Sequence, residues 1–364
     1  MTGAVLEHSR MRTESSQRFY RPELDVLRFF AFLLVFMYHA ISPTAHLPFL
    51  LGLLKDAGSF GVPIFFLLSA YLITELLLRE KAKSGTISLR RFYVRRILRI
   101  WPLYFGFLFS AFALGQLIHR PELHFAPITL LGAILMAGNF MQAAGYNMGL
   151  ASMLWSISVE EQFYLLWPFL ARILTRERVV LAGATIWVIS QIITAAMIYH
   201  HVPYYNAQWY SSFPHFQYFG LGIMMSAYRP RALPIVARIL MGIAGFFVLV
   251  AAGSIAGPYF VFPTAGIGAL LIFLAFLGFP MAAEGPLQSL GKISYGLYVF
   301  HGSALLITHV LSHRLPYFRE HPAWLVYTLS LPLTILFASL SYRYWELPFL
   351  RLKERFEVVK SRPA

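Results

Sequence analysis

Residues 60–78 read FGVPIFFLLSAYLITELLL, a run of nineteen residues in which Glu75 is the only charged side chain. A helix needs about 20 mainly apolar residues to cross the ~30 Å hydrocarbon core of a bilayer, and this run comes close to that length. Similar apolar runs occur at 27–41, 179–199 and 240–255. The sequence therefore predicts an all-α integral membrane protein.

The composition agrees with this prediction. The chain has 364 residues, of which 58% are hydrophobic and only 13% are charged, whereas a soluble domain carries roughly 25% charged residues. It has no cysteine, which excludes disulfides and cysteine-ligated metals, and we expect no metal site. The net charge of +14 could indicate a nucleic-acid partner, but the positions of the basic residues argue against one.

We predict about ten transmembrane helices. They lie near residues 27–46, 59–78, 101–118, 155–170, 179–199, 213–228, 234–253, 259–280, 293–312 and 324–342. The intervening segment 127–145 is apolar but carries Gly138, Asn139, Gln142 and Gly145. Its sequence is compatible with a full span, a half helix or a re-entrant piece.

The basic residues favour one orientation, because loops on the cytoplasmic side are enriched in Lys and Arg. If both termini are cytoplasmic and 127–145 does not span, the cytoplasmic side holds 26 of the 30 basic residues and the outer side holds four. Those four are Lys55, Arg120, Arg314 and Arg319. The charge is then mostly an orientation signal together with attraction to anionic lipid. We therefore predict ten net crossings with a non-spanning or re-entrant segment at 127–145. The predicted domains are a cytoplasmic polar tail at 1–20, a transmembrane domain at 21–350 and a basic cytoplasmic tail at 351–364.

Ionisable residues inside a membrane are costly and are candidates for function. Arg28 and His39 are eleven residues apart in LRFFAFLLVFMYHA, about three helical turns, so both project from one face with His39 about 16 Å above Arg28. Counting in the same way from the basic residue at the cytoplasmic end of each helix gives a height of about 18 Å for Glu160, about 15 Å for Ser69 and about 14 Å for His301. Four spans thus bring polar groups to a similar depth, which indicates one buried site.

Other interpretations of these residues remain open. A lone histidine in a span makes a helix–helix hydrogen bond as often as it acts in catalysis, and this applies to His39 and His301. Ser69 is more typical of helix packing, and Trp155 of aromatic packing. Glu160 is harder to explain in this way, because a buried carboxylate without a partner is strongly unfavourable.

A basic cluster precedes the third span, in SLRRFYVRRILRIWPLY. Arg91, Arg95 and Arg99 recur at i, i+4 and i+8, and therefore form a stripe on one helical face. Arginines beside aromatic residues suit a phosphate-rich ligand with a stackable base, although cytoplasmic flanking of a span explains part of the cluster equally well. No glycine-rich phosphate loop accompanies the cluster, which excludes a P-loop nucleotide hydrolase.

Six sequence blocks in order resemble the acyltransferase-3 family of bacterial membrane O-acyltransferases. In the second block Pro63 and Ala70 replace the acid and glycine that are typical of the family. The blocks are RPELDVLRFFAFLLVFMYHA (21–40), GVPIFFLLSAYLITELLLRE (61–80), RRFYVRRILRIWPLY (90–104), WSISVEEQFYLLWPFL (155–170), ISYGLYVFH (293–301) and YRYWELPFL (342–350).

The resemblance implies transfer of an acyl group, usually acetyl from acetyl-CoA, to a hydroxyl of a cell-surface polysaccharide, a lipid-linked sugar or a glycosylated metabolite. It implies a multi-pass protein of the bacterial cytoplasmic (inner) membrane. Members often carry a fused periplasmic esterase-like domain that this sequence does not show. The membrane unit is therefore expected either to complete the transfer itself or to act with a separate periplasmic or extracellular partner.

The predicted mechanism uses His39 as general base on the acceptor hydroxyl and Glu160 as the group that orients the imidazole. The residues predicted to support this site are Asp25, Arg28, Ser69, Trp155, Ser156 and His301. Those predicted to bind acyl-CoA are Arg91, Tyr93, Arg95, Arg96 and Arg99. The alternative function is a multi-span transporter of a glycolipid or small solute, against which the lack of internal repeats argues.

Overall fold

The computed structural model is all-helical. No β-strand occurs in the residues that it describes, which are 19–41, 49–118, 120–227, 233–257, 260–315 and 322–361. These residues form fifteen α-helices. The first four are α1 (Pro22–Ala40), α2 (Phe49–Gly58), α3 (Gly61–Ser84) and α4 (Leu89–Ile118).

The middle of the chain alternates short and long helices. Its elements are α5 (Pro127–Ile134), α6 (Gly138–Ala143), a 3-10 turn at Gly149–Leu154, α7 (Trp155–Ile173), α8 (Arg176–Tyr199), a π-helical turn at Tyr204–Gln208 and α9 (Ser212–Ser226). The last part comprises α10 (Ile235–Ser254), α11 (Val261–Phe276), α12 (Pro286–Lys292), α13 (Ser294–Arg314), α14 (Pro322–Ser341), a π-helical turn at Tyr342–Glu346 and α15 (Leu347–Glu354).

Five helical stretches are long and apolar enough to cross a membrane, which supports a multi-pass membrane protein. They are α3, α4, α8, α10 and the continuous stretch Leu325–Glu354. Each of the ten predicted spans overlaps one of the helices. The number of crossings and their orientation stay predictions.

Segment 127–145 does not form a long helix. It folds as α5 and α6, which have eight and six residues and extend about 12 and 9 Å, well short of the ~30 Å of a bilayer core. Met136 separates them with a positive φ of 54°. The amide Nδ2 of Asn139 donates to the carbonyl of Tyr210 and to Ser212 Oγ. The polar residues of this segment thus connect α6 to the start of α9.

Helix α1 carries three of the predicted site residues, Asp25, Arg28 and His39, and ends earlier than the predicted span 27–46. It ends at Ala40, and Ile41 is already extended, with φ −87° and ψ 117°. Pro43 follows in the sequence, and a proline disfavours helical conformation in the residue before it. His39 therefore lies in the last turn of α1, where its side chain is exposed, rather than inside a longer buried span.

Close packing between α1 and α3 depends on a glycine. A Cβ atom added at Gly61 would lie 2.2 Å from the carbonyl oxygen of Ala31. Only glycine allows the two backbones to approach this closely, as is common at helix contacts in membranes. This contact places the face of α3 that carries Ser69 beside α1.

Candidate active site

A cavity rich in cations lies between the start of α1, the middle of α3, α4 and the chain after α14. We call it the basic pocket. It contains the carboxylate of Asp25 and the hydroxyl of Ser69. Five cationic side chains line it: Arg21, Arg28, Arg96, Arg99 and Lys353.

A second cavity, which we call the inner pocket, shares four residues with the basic pocket. It extends to Glu160 and Ser156 on α7 and to Tyr298 on α13. The shared residues are Arg28, Ser69, Arg96 and Arg99. The two cavities therefore form one path from the cationic surface into the helix bundle.

Arg28 is held at this junction by an ion pair. Its Nη1 lies 3.1 Å from Oδ1 of Asp25, whose side chain is buried. The hydroxyl of Tyr20 donates to the other carboxylate oxygen at 3.0 Å. A carboxylate bound on both oxygens fixes the guanidinium that pairs with it.

Arg96 presents an open hydrogen-bond donor at the junction. Its Nε is buried and has no hydrogen-bond partner among the described residues. Its guanidinium lies 5.4 Å from the ring centroid of Tyr164, a cation–π distance. A buried N–H without a partner is unfavourable unless a ligand or water binds it. Arg96 is therefore the best-placed residue to hold an anion.

The predicted acyl-CoA residues separate into different environments. Arg95 pairs with Glu80 at 2.9 Å and also donates to the carbonyl of Phe356. Arg91 is exposed. Tyr93 donates to the carbonyl of Leu165 on α7. Of the predicted set, only Arg96 and Arg99 line the two pockets.

Hydroxyl groups surround Glu160 in the inner pocket. The hydroxyl of Tyr164 interacts with Glu160 and is hydrogen-bonded to Ser69 Oγ. Ser156 Oγ donates to the hydroxyl of Tyr298 at 2.8 Å. Glu160 also interacts electrostatically with Arg28 and Arg96. The carboxylate thus belongs to the junction of the two pockets.

Trp155 lies outside both cavities. Its ring packs against Trp209, His215 and Tyr210, with the His215 centroid 5.2 Å away. This environment agrees with aromatic packing, the simpler of the two interpretations of Trp155.

His39 has a different neighbour from the one expected. Its Nδ1 lies 2.8 Å from the carbonyl oxygen of Val35, and its ring centroid lies 5.1 Å from that of His301 on α13. Within the described residues no hydrogen bond connects His39 to Glu160. The predicted orienting contact is therefore not observed, and the catalytic roles of both residues stay predictions.

The four polar groups that were expected at one depth form two pairs. Ser69 and Glu160 lie in the inner pocket together with Arg28, whereas His39 and His301 contact each other. Tyr298 connects the two pairs, because it lines the inner pocket and its carbonyl oxygen accepts a hydrogen bond from Nδ1 of His301.

Several pocket residues were missed from the sequence. Arg21 begins the predicted transmembrane domain and Lys353 lies in the predicted basic tail. A basic residue in either position carries no sign of a pocket beyond its charge. Tyr164 and Tyr298 lie three or four residues from Glu160 and His301, which is one helical turn. That spacing is the only signal that would have identified them.

Comparison with known proteins identifies the family. A family model described as an acyltransferase domain, acyltransferase-3, matches residues 21–343. "O-acetyltransferase OatA" of Staphylococcus aureus strain NCTC 8325 is 30% identical over 363 residues, covering 90% of this chain and 57% of the relative. The OatA of strain COL matches to the same extent. This chain therefore spans less than two thirds of the length of these relatives.

No solved structure matches the chain. The family match, in contrast, extends over nearly all of the helices that form the two pockets and the histidine contact. It confirms the resemblance found in the six sequence blocks: the protein belongs to the acyltransferase-3 family.

Proposed function

We propose that this protein transfers an acetyl group from acetyl-CoA to a hydroxyl of a cell-surface polysaccharide, a lipid-linked sugar or a glycosylated metabolite. The observation that carries the proposal is the path of the two cavities, which runs from five cations to Tyr298, next to His301 and His39. A donor with a polyanionic head and a long thioester arm fits such a path.

The nucleotide end of the donor binds in the basic pocket. Arg96, Arg99 and Lys353 provide charge-assisted hydrogen bonds to its phosphates. The pantetheine arm is roughly 15–20 Å long, close to the axial rise of about 16 Å that separates Arg28 from His39 on α1. The thioester can therefore lie beside Tyr298 while the phosphates stay at the arginines.

His39 acts as the general base. Its Nδ1–H donates to the carbonyl of Val35. The neutral imidazole therefore has a lone pair on Nε2 that can accept a proton. Nε2 takes the proton of the acceptor hydroxyl, the oxygen forms the new bond to the acetyl carbon, and the C–S bond electrons leave with the sulfur. His39 then returns the proton to the thiolate of coenzyme A.

In this proposal Glu160 organises the side chains that line the path of the donor. It holds Tyr164 and balances part of the charge of Arg28 and Arg96. The hydroxyls of Ser69 and Ser156 line the same cavity. Ser156 donates to the hydroxyl of Tyr298, whose own hydrogen can stabilise the oxyanion of the tetrahedral intermediate.

We further propose that the protein lies in the cytoplasmic membrane, with ten crossings and both termini in the cytoplasm. The basic pocket then opens towards the compartment that contains acetyl-CoA. The partners are the lipid bilayer, the acyl-CoA and the hydroxyl acceptor. A separate periplasmic or extracellular protein that completes the transfer is a further proposed partner, tested by whether purified protein alone acetylates the acceptor.

The experiment compares a strain that lacks the gene with the same strain complemented by it. Mass spectrometry of surface glycans, lipid-linked sugars and secreted metabolites should show an acetyl ester that is lost on deletion and restored by the gene. Membranes of the complemented strain should release coenzyme A from acetyl-CoA. Unchanged esters and no coenzyme A release would contradict the proposal, and solute flux without coenzyme A release would favour a transporter.

A further inference from the structure

A group of aromatic residues lies beside His39 at the end of α1. We call it the aromatic cluster, and its members are Tyr38, Tyr204, Tyr205, Trp209 and Tyr210. The ring of Tyr38 is edge-on to that of His39, with centroids 5.1 Å apart. The phenol of Tyr38 also lies within electrostatic range of the other three phenols. Side chains from α1 and from the chain between α8 and α9 thus meet next to the proposed general base.

The loop that carries four of these residues is held in one shape by its own hydrogen bonds. His201 has a positive φ of 54°, and the chain then forms the π-helical turn Tyr204–Gln208. The side-chain amide of Gln208 is buried and donates to the carbonyl of Val202 at 2.6 Å. A surface that is ordered before its ligand arrives loses little conformational entropy on binding.

The exposed members of the cluster differ from an ordinary interfacial aromatic residue. Tyr205 is 81% exposed and Tyr38 is 41% exposed. Tyr199, the last residue of α8, is 79% exposed, but among the described residues its ring contacts only that of His200. An aromatic belt at the membrane interface explains a residue such as Tyr199. It does not explain why exposed phenols gather around the neighbour of His39.

The chemistry of the cluster differs from that of the basic pocket. In the described part of the chain, no cation lies over any of its five rings. A tyrosine offers a flat apolar face and a hydroxyl that both donates and accepts hydrogen bonds. A sugar ring has the complementary surface, with C–H groups on its face and hydroxyls around its edge. The cluster therefore suits an uncharged sugar better than a phosphate-bearing ligand.

Tyr210 leads from the cluster towards the donor. Its ring centroid lies 5.4 Å from that of Trp155, and its phenol lies within electrostatic range of the phenol of Tyr298. Tyr298 lines the inner pocket, which holds the thioester in the proposed function. A ligand on the aromatic cluster is therefore close to the acetyl group as well as to His39.

We propose that the aromatic cluster is the acceptor subsite: a neutral sugar ring stacks on the exposed rings of Tyr38 and Tyr205 and thereby presents a hydroxyl to His39. The proposal rests on the proposed function and names the residues that select its acceptor. Tyr38 and Tyr205 hold the sugar and take no part in moving the proton or the acetyl group. Their loss therefore weakens acceptor binding and leaves the donor site intact.

Substitutions at Tyr205 separate stacking from hydrogen bonding and from membrane anchoring. Tyr205→Phe keeps the ring and removes the hydroxyl, whereas Tyr205→Ala removes both. Tyr199→Ala is the matched control, because Tyr199 has nearly the same exposure and lies outside the cluster. Tyr38→Ala is an independent second variant, and it keeps the Cβ atom against which Gly58 packs.

Each purified variant receives acetyl-CoA and increasing amounts of a whole-cell extract of the deletion strain, which supplies the acceptor and any partner protein. Tyr205→Ala and Tyr38→Ala should each raise the apparent KM for the extract about 3- to 10-fold through the loss of an aromatic contact, with the KM for acetyl-CoA within about twofold. Tyr205→Phe should recover most of the loss at Tyr205, and Tyr199→Ala should match the wild type. Mass spectrometry should find the acetyl ester on a neutral sugar.

Four results would overturn the proposal. The first is an equal effect of Tyr199→Ala and Tyr205→Ala, which would indicate membrane anchoring. The second is an acceptor KM that neither Tyr205→Ala nor Tyr38→Ala changes. The third is a Tyr205→Phe variant as impaired as Tyr205→Ala, which would exclude stacking, and the fourth is an acetyl ester on a compound without a sugar.

Failure of the proposed function gives a different result. Wild-type protein that neither acetylates any component of the extract nor releases coenzyme A from acetyl-CoA would contradict the proposed function itself. Wild-type protein that acetylates the extract, together with any of the four results above, would overturn the acceptor subsite alone.

Discussion

The basic pocket and the histidine pair lie at opposite ends of α1 and handle charge in different ways. The pocket collects five cations from distant parts of the chain, and carboxylates neutralise some of them. The pair consists of His39 and His301 without a charged partner among the described residues. In the proposed function, anion binding is therefore shared among many side chains, whereas proton transfer depends on one nitrogen.

The largest effect is expected at the histidine end. His39→Gln should lower kcat about 10²- to 10⁴-fold, the usual contribution of a general base, and leave the Kd for coenzyme A unchanged. Initial rates and coenzyme A binding are measured on the same purified protein. A kcat near the wild-type value would contradict a role for His39 in the mechanism. A loss of coenzyme A affinity as large as the loss of kcat would show that His39 contributes to donor binding instead.

The next effect concerns stability rather than binding. Arg95→Ala leaves Glu80 buried and uncompensated, since the two side chains pair at 2.9 Å and are 14% and 2% exposed. The free energy of unfolding should fall by about 3 kcal/mol, seen as a lower Tm in detergent. Adding Glu80→Gln should recover most of the Tm, because the amide oxygen still accepts from the backbone N–H of Ser88. An unchanged Tm together with a raised donor KM would contradict this structural role and show that Arg95 binds the donor.

Arg96 should affect the donor directly. Arg96→Ala removes a guanidinium that lines both cavities and should raise the KM for acetyl-CoA about 10- to 30-fold through the loss of a charge-assisted hydrogen bond. Arg91→Ala is the matched control, because Arg91 is exposed on the same helix, and its KM should change less than about twofold. Equal effects of the two substitutions would mean that net charge, not the pocket, attracts the donor.

The smallest effect is expected at Lys353. This side chain lines the basic pocket but already pairs with Glu357 at 3.0 Å. Lys353→Gln should raise the donor KM about two- to fivefold, in keeping with a compensated ion pair worth about 0.5–1 kcal/mol. Steady-state kinetics over a salt series measure this effect, which should shrink at high ionic strength. A tenfold or larger rise would show that Lys353 binds the donor as strongly as Arg96 does.

The sequence predicted the helical elements because apolar length and helical rise are local properties. Arg28 and His39 were placed on one helix with the correct separation, and the helix proved continuous between them. The non-helical break in 127–145 was signalled by its glycines and amides. The resemblance of the six blocks was confirmed by the family match over 21–343.

Contacts between helices could not be predicted in the same way. Axial rise gives a height along one helix, but tilt and neighbouring elements decide which side chains meet. Glu160 therefore lies beside Arg28 rather than beside His39. Arg95 pairs with Glu80, which lies outside the basic cluster, eight residues before Ser88. Arg96, which lies off the predicted stripe, faces the pocket because α4 packs with that side inwards.

The hydrogen bond from the backbone N–H of Phe19 to the carbonyl of Lys360, 2.9 Å long, brings the two ends of the described chain together. Ser361 and Lys353 line the same cavity as Phe19 and Arg21. The basic pocket therefore needs residues from both ends of the described chain, and a nascent chain contains both histidines before it contains all of the residues that line this pocket. Under the proposed function, a chain that stops before Lys353 would keep both histidines but lack part of the wall that holds the donor.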